Sequence, residues 1–194
     1  MAVGGGVGYR YADKMKTYVA LFRGINVGGK NVLPMDELVA MLENLGLQNV
    51  ETYIQSGNVV FQSEGTNTSL LADAISAAIK KSRGFAPQVL LLEPEQVEKA
   101  VAENPFTEAE SEPKTLHLYF LSSEPRSPDL DALQSIKGNG ERFVLKDGVL
   151  YLHAPHGIGR SKLAANAEKL LDVSITGRNW RTICKIMEMA QQTG

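Results

Sequence analysis

Between Thr17 and Arg23, Tyr18, Ala20 and Phe22 alternate with Val19 and Leu21, which predicts a first strand. Apolar residues then recur at helical spacing as Met35, Leu38, Met41, Leu42 and Leu45. Pro34 suits the first turn of that helix, and Gly46 is placed to end it. Val50 to Ile54 and Val59 to Phe61 predict two short strands around Gln55-Ser56-Gly57-Asn58, a hairpin turn by composition. Leu70, Leu71, Ala74, Ile75, Ala78 and Ile79 form a second helical stripe, and Gln88 to Leu92 a fourth strand. The order βαββαβ predicts a ferredoxin-like unit.

The pattern then repeats. Thr115 to Leu121 predicts a strand, and Asp129 to Ile136 a short helix opened by Pro128. Arg142 to Lys146 and Val149 to His153 flank Asp147-Gly148, a two-residue hairpin turn. Ser161 to Leu171 predicts a helix, Val173 to Thr176 a short strand, and Asn179 to Gln191 a last helix. The expectation is an α+β protein of two tandem ferredoxin-like subdomains with antiparallel sheets and a C-terminal helix. Element order suggests a duplication, since residue identity between the halves is weak. The expected organisation is an extension at 1–14, a first subdomain at 15–92, a connector at 93–112 and a second subdomain at 113–194.

Residues 93–112 contain seven acidic residues and one lysine, with Pro94 and Pro105. Glu95 to Glu103 reads as a helix, and the rest as a solvated connector. The first fourteen residues lack the basic start and apolar core of a signal peptide, and read as a disordered extension before Met15. No apolar run approaches the ~20 residues needed to span a bilayer. A cytoplasmic location without membrane attachment is the expectation.

Composition changes this picture little. The chain has 194 residues, 43% hydrophobic and 22% charged, with a formal net charge of −2. These are ordinary values for a globular protein and supply no global attraction to nucleic acid. One cysteine, Cys184, excludes an internal disulfide and lies in the apolar stripe of Trp180, Ile183 and Met187. No spacing of His153, His156 or His117 with acids completes a metal site, so neither a metal nor a cofactor is expected.

Three segments could carry chemistry. Gly24 to Lys30 spells G-x-x-x-x-G-K, but Asn31 replaces the Ser/Thr that would hold magnesium. Pro34 also delays the helix beyond the reach of a phosphate bound at such a loop. The P-loop reading is therefore rejected, and two remain: an anion-attracting turn built from Arg23, Gly24, Asn26, Gly28, Gly29 and Lys30, or a plain chain reversal whose charges face water. The second segment runs from His153 to Lys162, where Arg160, Ser161 and Lys162 stand at a helix start, Ser161 as its cap. The third is Thr176 to Thr182: Arg178 could grip an anion, Trp180 could stack on a base or fill the core, and Asn179 could cap the helix or touch a ligand. Ser56 and Asn58 complete the candidate set, although Ser56 lacks the frame of a nucleophile. From His156 to Glu188 six Lys/Arg face three acids, a modest basic excess compatible with RNA or a nucleotide.

Arg23 to Asn31, Tyr53 to Phe61 and Arg178 to Thr182, in that order and joined by Gly159 to Leu163, resemble the bacterial domain of unknown function 1697 family. The resemblance covers nearly everything from Met15 to Gln191. It implies a two-part α+β protein with ferredoxin-like subdomains, and no established activity or catalytic residue. Three readings follow: a protein binding an anionic ligand (nucleotide, phosphorylated metabolite or short nucleic acid) at these loops, a transferase or hydrolase acting on a phosphorylated substrate, and a self-associating structural protein.

Overall fold

The computed structural model describes residues 15–194; the expectation for residues 1–14 lies outside them. In chain order the elements are β1 (Lys16–Arg23), α1 (Met35–Asn44), β2 (Gln48–Tyr53), β3 (Asn58–Ser63), α2 (Thr68–Arg83), β4 (Gln88–Leu92) and α3 (Pro94–Ala102). They continue with β5 (Leu116–Leu121), α4 (Leu130–Ile136), β6 (Arg142–Lys146), β7 (Val149–His153), α5 (Lys162–Leu171), β8 (Ile175–Asn179) and α6 (Trp180–Thr193). Two four-stranded antiparallel sheets result, ordered β2-β3-β1-β4 and β6-β7-β5-β8. Each sheet places its first strand between its third and fourth. Among the described residues no helix is long and apolar enough to cross a membrane.

Side-chain alternation along β1 assigns its residues to two different cores. Tyr18, Ala20 and Phe22 pack with Leu38 and Leu42 of α1 and Ile75 and Ile79 of α2. Val19 and Leu21 face the other way, into a central layer shared with the second sheet. That layer contains Val97 and Ala100 of α3, Leu116, Leu118 and Phe120 of β5, and Trp180, Ile183, Ile186 and Met189 of α6. Helices α3 and α6 therefore lie between the sheets. Leu133 of α4 and Leu163, Ala167 and Leu171 of α5 cover the far face of the second sheet. The backbone is locally consistent with this plan. Asn67, Asp129, Ser161 and Asn179 each accept an N-terminal amide of the helix that follows.

Two expectations are corrected: the segment after α3 is not a solvated connector, since Phe106 and Ala109 are buried in the central layer, and β8 runs on beyond Thr176. Gly177 and Arg178 belong to β8 rather than to a loop before α6, and Asn179 ends that strand rather than opening the helix; the three pair with Tyr119, Leu118 and His117 of β5. Thr-Gly-Arg-Asn has the composition of a turn, but the cross-strand partner decides its conformation. A Cβ on Gly177 would lie 2.4 Å from Cε1 of Tyr119, so the ring occupies the space that a side chain would need.

Candidate functional site

The glycine-rich loop after β1 is shaped by its asparagines. Asn26 Nδ2 donates to the carbonyls of Leu33 (2.8 Å) and Gln55 (2.9 Å), while its Oδ1 accepts from the Leu33 amide. Asn31 Nδ2 donates to the Gly24 carbonyl at 2.7 Å. Both asparagines adopt positive φ, as do Gly24, Gly28 and Gly29. The amides of Asn26 and Lys30 donate to carbonyls of the same loop, which removes them from any anion-binding nest. The loop is thus a self-bonded turn with Lys30 exposed on it.

The hairpin turn between β2 and β3 packs against this loop. A Cβ on Gly57 would meet Phe22 Cβ and Ile25 Cδ1 at 2.6 Å, and Gly57 φ is +67°. The fully buried Asn58 donates to Ser56 Oγ (2.9 Å) and to the Tyr53 carbonyl (3.1 Å). Its Oδ1 accepts from Nε of Arg178 on β8 of the other sheet. Arg178 Nη2 donates to the carbonyls of Phe22 (2.7 Å), Ser56 (3.0 Å) and Gly57 (3.3 Å), and Nη1 to that of Gly177 (2.8 Å). One guanidinium therefore joins β1, the hairpin and β8.

Every acceptor of Arg178 is a neutral oxygen. Burial pulls its pKa down to about 10, which leaves the charge intact at neutral pH. Nη1 carries two protons and uses one, so a charged N–H remains available. Arg178 lines a cleft of about 450 Å³ between the halves, with Phe22, Gly24, Ser56 and Tyr119 among the walls. Across this cleft Arg23 forms an ion pair with Glu168 of α5. The hydrogen bond from Arg23 holds the Glu168 carboxyl below its ordinary range, and its counterpart raises the pKa of Arg23. Burial pushes the Tyr119 phenol up to about 12, so it stays protonated and can donate.

The profile described as "Protein of unknown function (DUF1697)" matches residues 15–151. The chain belongs to the DUF1697 family. The matched span holds the first two motif segments and stops before Gly159 and Arg178. Among solved structures, a conserved bacterial protein from Streptococcus pneumoniae is similar at 28% identity. That similarity has a TM-score of 0.64 and covers 91% of this chain and 99% of the other. No curated protein matches the chain.

In this DUF1697 chain the expected site residues fall into separate groups. Arg23, Gly24, Ser56 and Arg178 line the cleft, and Asn58 stands behind it as a partner of Arg178. Asn26, Gly28, Gly29 and Lys30 do not line it. Arg160 and Lys162 line a different depression, so Lys30, Arg160 and Arg178 do not share a cavity. Ser161 and Asn179 act as helix caps through Ala164 N and Thr182 N, and Trp180 is buried between the sheets. Sequence reasoning missed Tyr119, Ala164 and Glu168, which line the cleft from β5 and α5; Thr176, at the start of the third segment, lines it from β8. Neither Tyr119 nor Glu168 had a signal in the sequence, because the pairing of β5 with β8 and the approach of α5 to β1 decide their places. Among the described residues no group of three or more His, Cys, Asp or Glu is placed to hold a metal.

Proposed function

We propose that this DUF1697 chain is a cytosolic bacterial protein that binds a small anionic ligand, carboxylate or phosphate, in the cleft between its halves. The observation that carries the reading is the Arg178 guanidinium, charged, surrounded by neutral oxygens and with an N–H left over at the cleft wall. An anion there would supply the charge-assisted bond that the protein itself does not. Tyr119 and Thr176 offer hydroxyls, and Ile25, Ala164 and Ile175 an apolar bed for the body of the ligand. Ser56 Oγ accepts from Asn58, and among the described residues no hydrogen bond joins it to a base, which favours binding over turnover. We also read each βαββαβ half as ferredoxin-like and the pair as a duplication, supported by their identical strand orders.

The test is a thermal-shift titration with orthophosphate, malonate and a nucleoside monophosphate, on wild type and on Ala165→Leu. Ala165 is exposed on the cleft wall, so leucine there takes up space in the cleft while Arg178 and the core residues stay unchanged in identity. Stabilisation by at least one anion, lost in Ala165→Leu, is expected. No stabilisation by any of the three, or equal stabilisation of the variant, sinks the reading.

A further inference from the structure

We propose that the depression between the end of α4 and the start of α5 is a second anion site, suited to compact ligands with adjacent phosphates such as a pyrophosphate or triphosphate group. Helices α4 and α5 run side by side in opposite directions, tied at one end by the Asp129 amide donating to the Leu170 carbonyl (2.8 Å). At the other end Lys137, Arg160 and Lys162 converge with Gly138 on a hollow of about 410 Å³. All three cations are exposed, and none has an ion-pair partner among the described residues.

Beside the hollow, the buried Glu141 carboxylate accepts the Gly138 amide at 2.7 Å. It leaves the three positive charges in excess by two. Like charges gathered around one hollow repel each other, and a multivalent anion converts that repulsion into attraction. A singly charged anion cannot answer all three cations. A nucleic-acid backbone, with phosphates spaced along a line, matches a stripe of cations better than a ring around a hollow. The hollow shares no lining residue with the Arg178 cleft, so the two sites stand or fall separately.

The experiment is calorimetric titration of the full chain with tripolyphosphate, pyrophosphate, orthophosphate and a single-stranded oligonucleotide at constant ionic strength. Affinity should fall in the order tripolyphosphate, pyrophosphate, orthophosphate. The triple variant Lys137→Ala, Arg160→Ala, Lys162→Ala should bind tripolyphosphate at least about tenfold more weakly, as expected for loss of charge-assisted contacts. With the Arg178 cleft occupied by Ala165→Leu, tripolyphosphate should still bind, and adding the triple substitution should remove that binding. The proposal is overturned if wild type does not bind tripolyphosphate at millimolar concentration, if the triple variant keeps its affinity, or if the oligonucleotide binds more tightly than tripolyphosphate. The three side chains are exposed and removed from the core, so the variant is expected to fold, and its melting curve checks this.

Discussion

Arg178 illustrates how much a single side chain can determine. Its fork meets carbonyls from β1 and from the β2–β3 turn, positions more than 110 residues away along the chain. Lysine has a charge but no planar fork, so Arg178→Lys would leave several of these buried oxygens unpaired. A loss of roughly 2–4 kcal/mol in urea denaturation is expected. Gly177→Ala should cost about 1–3 kcal/mol in the same assay, because its Cβ would overlap the Tyr119 ring. Both effects were hidden in the sequence. Arginine beside glycine reads as a solvated turn until the pairing of Tyr119 with Gly177 is known. Trp180 as a core residue was already one of the two readings open from its helical stripe, and its burial decides between them.

At the level of elements, periodicity located the helices and strands well because burial follows it so closely here. The caps were legible too: Ser161 and Asn179 stand where their side chains accept the third amide onward. Replacing Asn179 by alanine should cost about 1 kcal/mol in thermal denaturation, less than Arg178→Lys. What periodicity could not supply was the approach of α5 to β1, on which the Arg23–Glu168 pair depends. Glu168 has its pKa lowered in the folded state, so the pair stabilises fully above the ordinary value of 4.5 and is lost as pH falls through the lower folded value. The acid-unfolding profile of Glu168→Gln should therefore be flatter than wild type below pH 4.5, with the gap closing at the lowest pH. A parallel profile would count against the pair.

For the whole molecule, the decisive feature is the central layer, where α3 and α6 are enclosed by both sheets. An amphipathic pattern shows that α6 has an apolar face, but not which of two sheets it covers; the structure shows that it serves both. Gln62 of β3 even donates to the Thr193 carbonyl at the far end of α6. The halves should consequently unfold together. Ile186→Ala should remove roughly 2–5 kcal/mol and lower the protection of β1 and β5 amides alike in hydrogen exchange, since the cavity opens on both. Loss confined to one sheet would show that the layers are energetically separate.

The position of Trp180 has a practical consequence. It is the chain's one tryptophan, it sits in the layer common to both sheets, and it follows Arg178 by two residues. Its emission spectrum is therefore a built-in optical gauge: a shift toward red on heating would report the parting of the layers. A change on adding an anion, without such a shift, would report an event at the neighbouring arginine.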